Sequence, residues 1–494
     1  MRYIVEPSAP ILVESLRAFG YTLETAIADL IDNSISAGAN EIYIDFHWNG
    51  SKSVITVSDN GNGINEKEIN QVMKFGSQSP TESRKNNDLG RFGLGLKTAS
   101  LSQAKSFSVF SKTNLTNYCS RQWDIDYIKK LNNWELLVPS IHDYSQYLKY
   151  FEHFNHGTVI VWEKMDKIVS TRWNVENYND ECKFIELKLK VKEHIEMVFH
   201  RFLEGKFPYA KFYLDGEKLY PWDPFCEMNQ ATDRTPEENI SFGNDVVKIK
   251  GFILPHKDKL SAEVYDNFKG PKGWNGQQGF YIYRNKRMLV SGNWLGLGDN
   301  NRPWTKEEQY KLARIRVDIP NSLDTDWNID VKKSSAKPPL LLKKRLVTLA
   351  QDVRSRAREV FSYRGQYKKR SKELAYDSIW KSNSINGKRN YYLDRKHSLI
   401  KLINQTTQDK EVFELLLQII EQTVPVERIW LETAEQPENH ARSFENIKED
   451  AIKESIQKYL DVLVNSEGMN RESAIKKILN TDGFRYYEDI VKKL

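Results

Sequence analysis

Cysteine is scarce in this chain: three in 494 residues, Cys119, Cys182 and Cys226. Their number is odd and they lie far apart, so neither a disulfide framework nor a zinc site is expected. They fit the reduced, buried thiols of a cytoplasmic protein. There is no run of about 18 apolar residues, so no transmembrane helix is expected. The opening MRYIVEPSAP lacks an apolar h-region, so no signal peptide is expected either. No short internal repeat is visible. Charge of one sign is not in large excess, with 73 basic against 67 acidic residues. The chain is 39% apolar and 12% aromatic, enough for folded cores and too much for extensive disorder. A chain of this length is expected to form two to four domains.

Three short segments in the first hundred residues carry most of the information. The first is ADLIDNSISAGA, Ala28 to Ala39. Residues 22 to 36 read as a helix, with Leu23, Ile27, Leu30 and Ile31 on one apolar face and Thr22 as the N-cap. Asp29 and Asn33 are four apart and share a side of that helix. A carboxylate there can orient and deprotonate an attacking water. An amide oxygen one turn on can ligate Mg²⁺, which prefers oxygen. Asp32 points off the face of this pair and is a poorer candidate base. Taken alone, the segment also reads as a solvated helix face.

The second segment is VSDNGNGI, Val57 to Ile64. EIYIDF and SVITVSD alternate like paired strands, and the second ends in the turn Asp59-Asn60-Gly61-Asn62-Gly63. Asp59 can accept a hydrogen bond from an exocyclic amine such as that of adenine. Gly61 and Gly63 permit close approach of a planar ligand. By itself this is an ordinary hairpin turn.

The third segment, Gly90-Arg91-Phe92-Gly93-Leu94-Gly95-Leu96-Lys97-Thr98, opens a further helix. A glycine-rich entry to a helix N-terminus presents free amides and a positive dipole end to phosphate, and Lys97 adds a charge. The spacing does not fit a Walker A loop and only partly fits G-x-G-x-x-G. Between the second and third segments, Lys74 to Asp88, including Phe75 and Gly76, reads as a mobile lid.

Together, in this order and spacing, the three segments resemble the GHKL-type ATPases, the superfamily of gyrase B, the ninety-kilodalton heat-shock chaperone, histidine kinases and MutL. HGTVIVW, His156 to Trp162, resembles the superfamily's fourth motif, which implies that Thr158 reaches the adenine region. IRVDIP and DWNIDVKK resemble the strand and loop that deliver a lysine to the γ-phosphate. Either Lys332 or Lys333 fills that role in this reading; a plain basic loop is the alternative. The likeness spans roughly residues 10 to 340 and is nearest the prokaryotic MORC and MutL-like branch. No helix with a phosphoacceptor His precedes the ATPase region, which argues against a sensor kinase.

The resemblance implies an α+β chain: a Bergerat-type α/β sandwich, a ribosomal-S5-like βαβ transducer and a C-terminal helical region. The expected parts are an N-terminal arm (1–21), the ATPase domain (22–185) and the transducer (186–337). They are followed by a basic helix and arm (338–372), a linker (373–394) and a helical domain (395–494). FYLDGEKL, VVKIKGFILP and GFYIYRNKRMLV are assigned as transducer strands. HSLIKLIN, EVFELLLQIIEQ and DAIKESIQKYLDVLV read as the last helices.

Relatives in this branch usually carry Glu at the catalytic position. Here it is Asp29, shorter by one methylene, roughly 1.5 Å of reach. Slow turnover, suited to a switch, is the expectation.

Between Lys337 and Lys372, twelve basic side chains face only Asp352 and Glu359. This is the footprint expected of a phosphate-backbone binder, with Arg354, Arg356 and Arg358 as its test residues; a solvated helix with a charged linker is the alternative. Tyr363 and Tyr367 can stack on bases if the partner is single-stranded. Tyr281 to Arg287 reads either as the lining of a DNA channel or, as favoured, as a two-sided strand ending in a charged turn. No endonuclease metal motif is present, so any cleavage would belong to a partner.

The implied mechanism is an ATP-gated, Mg²⁺-dependent dimeric clamp on double-stranded DNA. Closure would expose the arm to a second subunit through Ile4, Ile11, Leu12 and Leu16, with helicase or nuclease partners in restriction, phage defence or DNA repair. A chaperone-like ATPase and a nucleotide sensor with little turnover are the competing readings.

Overall fold

The first two helices are α1 (Ala9–Arg17) and α2 (Leu23–Ser36). Helix α2 forms as its apolar spacing requires: Leu23, Ile27, Leu30 and Ile31 are all buried. Thr22 stands at its N-cap, and the Thr22 amide donates to Thr25 Oγ1 at 3.0 Å. The computed structural model describes residues 7–18, 20–76, 95–114, 117–205, 209–243, 245–299, 302–329, 336–362, 379–385, 388–426, 428–429, 444, 447–479, 481 and 483–491.

Strands β1 (Glu41–His47), β2 (Val54–Asp59), β3 (Ser106–Lys112), β4 (Cys119–Asp124) and β5 (Gly157–Glu163) come from the first 163 residues. In β1 every second side chain, Ile42, Ile44 and Phe46, enters the core, as its alternation predicts. Two more strands, β6 (Lys211–Leu214) and β7 (Glu217–Lys218), complete the sheet, whose order is β4-β3-β5-β2-β1-β6-β7. FYLDGEKL therefore does not sit in the second sheet. It joins the first by parallel pairing of β6 with β1, Glu41 opposite Lys211. Pairing across some 170 residues leaves no local trace in sequence.

Helices α3 (Glu66–Met73), α4 (Gly95–Gln103), α5 (Ile125–Leu131), α6 (Tyr150–His153), α7 (Tyr178–Val198) and α8 (His200–Leu203) surround this sheet. Helix α7 runs straight through the expected domain boundary at 185 and buries Phe184, Val191, Ile195 and Val198. The described part of the arm, α1, is docked on its own domain. In α1, Val13 is buried and the Arg17 guanidinium donates to the Leu101 carbonyl and pairs with Asp166, whereas Ile11 is exposed. Ile4 lies outside the described residues.

The second sheet takes β8 (Asp233–Arg234), β9 (Glu238–Phe242), β10 (Asp245–Ile253), β11 (Gly279–Arg284) and β12 (Arg287–Asn293). The short helices α9 (Ala262–Phe268) and α10 (Gly273–Gly276) lie between β10 and β11. A small hairpin, β13 (Gly298–Asp299) and β14 (Arg302–Pro303), precedes β15 (Ala313–Ile319). The order is β12-β11-β15-β10-β8, with β9 also on β10 and β11 parallel to β15. One face carries Tyr281, Tyr283 and Phe252 into the same core as α2 and α7. The other face packs on α11 (Leu340–Ser362) through Leu342, Leu346, Leu349, Val353 and Val360. Apart from the half-exposed turn residues Asn285 and Lys286, YIYRNKR is thus interior: Arg284 is buried against Asp324 and Arg287 against Asp32.

Residues 1–367 and 368–494 form two units. In the second, β16 (Trp380–Ile385) and β17 (Lys388–Leu393) pair as a hairpin inside the segment expected to be a linker. Their Ser, Asn, Lys and Tyr content hid the strand period. Helices α12 (Ser398–Thr406), α13 (Lys410–Gln422), α14 (Glu449–Asp461), α15 (Arg471–Leu479) and α16 (Glu488–Val491) follow. They bear out the three helical readings of that region. Ile456, Tyr459, Leu463 and Ile478 centre its core. Among the described residues no helix is long and apolar enough to cross a membrane.

The basic helix needs one correction. Arg354 is not a surface cation: it is buried within 4.8 Å of the Trp294 ring centroid, 4.7 Å of Trp304 and 3.7 Å of Tyr310. Its helical position places it on the apolar side with Leu346 and Val353. Arg356 pairs with Asp352 and Asp233, and Arg345 donates twice to Glu238. Lys337, Lys343, Lys344 and Arg358 are exposed; residues 364–372 lie outside the described residues. Arg354→Ala should therefore lower unfolding stability by about 2–4 kcal/mol, whereas Arg358→Ala should change it by under about 0.5 kcal/mol, as read by denaturant titration.

Candidate functional site

Asp29, Asp59, Gly61, Thr158 and Gly95 are linked through α2, the turn after β2, β5 and the described start of α4. Asp29 is 4% exposed, and its Oδ2 accepts a hydrogen bond from the Tyr21 hydroxyl at 2.8 Å. Tyr21 immediately precedes the N-cap of α2, so the helix entry itself orients the carboxylate. Gly95, the first residue of α4, lies alongside: a Cβ there would stand 3.6 Å from Asp29 Oδ2. The described beginning of α4 is thus next to a buried acid. Asn33 is half-exposed one turn along α2.

Asp59 is held from three sides. Ser34 Oγ, on α2, donates to Oδ2 at 2.7 Å, and the Gly61 amide donates to Oδ1 at 2.8 Å. The Thr158 amide, opposite Asp59 in the β2–β5 register, is the third donor. Burial pushes the Asp59 carboxyl upward in pKa, and these donors pull against it. Thr158 Oγ1 is 2.9 Å from Ser111 Oγ, which donates to the Gly157 carbonyl. His156 donates through Nδ1 to the Gly61 carbonyl at 2.6 Å, since a carbonyl can only accept. About 7.5 Å of helix axis separates Asp29 from Ser34.

The glycines of the turn answer to the chain's own packing. Gly63 has φ +70°, and a Cβ on it would lie 2.0 Å from the Lys112 carbonyl oxygen. A Cβ on Gly61 would press on Asp59 Oδ1 and Ala37.

Lys97 is buried, and its ammonium donates to the Val72 carbonyl near the end of α3 at 2.7 Å. Burial lowers its pKa to about 8. Leu96 is half-buried and Thr98 buried on the same helix. The Phe75 ring packs between Trp123 at 5.5 Å and Trp134 at 5.1 Å, where it anchors the chain after α3, and Gly76 follows at φ +69°. Gly90, Arg91, Phe92, Gly93 and Leu94 lie outside the described residues, as do Lys332 and Lys333 and most of the lid. The described ends of the loop bearing the two lysines are close: the Lys337 amide donates to the Trp327 carbonyl at 2.7 Å.

Asp32 turns away from this site, as the helical wheel requires. It is fully buried, and Oδ1 accepts from Arg287 Nε on β12 at 3.0 Å. Tyr21, Ser34, Ser111 and Arg287 escaped the sequence reading. Tyr21 and Ser34 sit beside singled-out residues, but a lone Tyr or Ser has no spacing signature. Among the described residues no cluster of three His, Cys, Asp or Glu side chains is placed to hold a metal.

A buried acid beside the described start of α4 and a second acid tied to the turn at the far end of α2 thus stand at the two ends of one helix. The histidine kinase-, DNA gyrase B- and HSP90-like ATPase family matches residues 21–158. Mouse MORC family CW-type zinc finger protein 3 is 30% identical over 94 residues, 19% of this chain and 10% of that protein. Protein MICRORCHIDIA 5 of Arabidopsis thaliana is 33% identical over 101 residues, 19% of this chain and 14% of its own. The DNA mismatch repair protein MutL of Haemophilus influenzae (strain PittEE) is 28% identical over 227 residues, 45% of this chain and 32% of that protein. The matched regions thus span between a tenth and a third of these relatives' length. Residues 21–158 form a GHKL-type ATPase domain, and the chain that carries it is similar to the MORC and MutL-like branch of that superfamily.

Proposed function

We propose that this chain binds and slowly hydrolyses ATP with Mg²⁺, and that nucleotide state gates a dimeric clamp on double-stranded DNA. The observation that carries the reading is the Tyr21–Asp29 pair at the start of α4, on the same helix that braces Asp59 through Ser34. Asp59 accepts from the adenine amine. The start of α4, with Gly90 to Leu94 leading into it, receives the phosphates. Asp29 orients the attacking water and takes its proton.

The residues present suit a magnesium ion that keeps waters and phosphate oxygens as its main ligands, with Asn33 adding one. When bound, it neutralises phosphate charge. Lys97 reaches the phosphates by leaving the Val72 carbonyl, and Lys332 or Lys333 docks on the γ-phosphate when the clamp closes. Dimerisation through the N-terminal arm, a cytoplasmic setting and work with helicase or nuclease partners in phage defence complete the proposal. The DNA surface consists of Lys337, Lys343, Lys344 and Arg358, with the basic arm beyond them. Lys343, Lys344 and Arg358 project from one broad side of α11 over about 22 Å.

A protein-remodelling reading has one observation in its favour: α13 exposes Val412, Leu415, Leu416, Ile419 and Ile420 in one stripe. ATP turnover measured with and without long duplex DNA, at low and moderate salt, separates the two. Stimulation by DNA that fades with salt supports the clamp; indifference to DNA favours remodelling.

Three outcomes are expected. Asp29→Asn should bind a non-hydrolysable ATP analogue normally and lose at least about 100-fold in turnover; unchanged turnover refutes its role as base. The triple change Lys343→Glu, Lys344→Glu, Arg358→Glu should weaken duplex binding and flatten its salt dependence by about 0.9 logarithmic units per lost phosphate contact, as read by anisotropy. Finally, Lys97 has a lowered pKa without nucleotide, and phosphate favours its charged form. Affinity should therefore fall as pH rises through about 8 toward its ordinary value, and binding near pH 8.5 should take up protons. Calorimetry in buffers of different ionisation enthalpy reads that uptake, and Lys97→Met should abolish it.

A further inference from the structure

We propose that the Asp32–Arg287 ion pair is a positioning strut that fixes the rotation of α2 about its axis. Hydrolysis at Asp29 then depends on the second sheet being docked, while nucleotide binding does not. The proposal rests on the ATPase reading of the site.

The pair spans 255 residues of sequence and joins the helix of the nucleotide site to β12. Both partners are interior, Asp32 at 0% and Arg287 at 4% exposure. The guanidinium is fixed in plane as well as in place. It stacks 4.4 Å from the Phe199 ring centroid, and Nη1 donates to the Met288 carbonyl. His194 of α7 faces the same pair and Lys272. Burial, with Arg287 and Lys272, lowers its pKa to about 3, so it adds no competing charge.

A buried carboxylate holds such a partner tightly, because losing it leaves a desolvated charge. On the helical wheel Asp32 lies about 60° from Asp29 and about 100° from Asn33, so all three turn together. Side-chain tips stand about 6 Å from the axis, so a rotation of about 15° moves Asp29 by about 1.5 Å. Displacements of that size cost about 100-fold in a reaction that depends on near-attack geometry, and far less in ligand binding. A second brace runs in parallel: Arg201 of α8 stacks 3.6 Å from the Tyr283 ring and pairs with Asp318 of β15. Docking of the second sheet is thereby kept when the strut is cut.

The test compares turnover with the affinity for a non-hydrolysable ATP analogue in the full chain. The variants are Asp32→Asn, Arg287→Gln, Arg287→Lys and the double Asp32→Asn/Arg287→Gln. Asp32→Asn and Arg287→Gln should each lose about 100-fold in kcat with analogue affinity held within about threefold. The double variant should be no worse than either single change, since both cut the same strut. Arg287→Lys keeps the charge but not the planar fork, and should recover part of the rate. Unchanged kcat in folded variants overturns the strut. So does a joint fall in rate, affinity and melting temperature, which marks a merely structural pair. If the uncharged variants do not fold, Arg287→Lys decides alone: reduced kcat at unchanged affinity supports the strut, and wild-type kcat overturns it. Wild-type protein that fails to hydrolyse ATP refutes the ATPase reading itself, before any variant is compared.

Discussion

Helix α2 can occupy only one rotational position, and the arrangement around it depends on that constraint. Within six residues it sends Asp29 to Tyr21, Asp32 to Arg287 and Ser34 to Asp59. An α-helix is stiff about its own axis, so three tethers at different azimuths over-determine its position. Each tether ends on a different part of the molecule: the chain entering α2, the second sheet, and the turn after β2. The apolar side of α2 then packs Ile27, Leu30 and Ile31 into the core. Hydrophobic burial holds the helix in the domain, but it is the polar side that fixes the direction of its acids.

The same core explains why the two sheets of residues 1–367 form one unit. Phe199 and Phe212 of the first domain share a cluster with Phe252, Tyr281 and Tyr283 of the second sheet. Guanidinium groups turned inward close the polar edges of the two cores that flank the second sheet. Arg284 pairs with Asp324 at 2.5 Å, Arg287 with Asp32, and Arg201 with Asp318 across the Tyr283 ring. Arg354 closes the opposite side against Trp294, Trp304 and Tyr310. Arginine suits this use because its planar, weakly hydrated head can both stack and donate in one plane. Basic residues counted along the sequence therefore overstate the charge at the surface of this region.

What could be read in sequence followed from periodicity and local spacing. The 3.6-residue pattern placed α2, α11 and the last helices, and strict alternation placed β1. The Asp29/Asn33 spacing and the Asp59 turn placed two ends of the site. What could not be read depended on contacts between distant segments. Parallel pairing of β6 with β1 and burial of YIYRNKR are set by partners 40 to 255 residues away. The hairpin at 380–393 was missed for a different reason, since Ser, Asn and Lys carry no apolar alternation to betray a strand. Tyr21 and Arg287 were invisible because a single hydrogen bond leaves no pattern in the chain that makes it.

The aspartate at position 29 then finds a physical setting. On the proposed reading a shorter acid must be brought to its water by the backbone, since its side chain cannot extend to it. Two features do this. Tyr21, at the very entry of α2, fixes the plane of the carboxylate by donating to Oδ2. Gly95, which begins α4, has no side chain between that helix start and the acid. Backbone of α4 and carboxylate therefore come close with no side chain between them. On that reading the reach lost in one methylene is supplied by the approach of two helices, and that approach is only as precise as the rotation of α2. A site built this way depends more heavily on the packing around it than one whose acid can extend and adjust, and the proposed strut would tie its chemistry to the position of the second sheet.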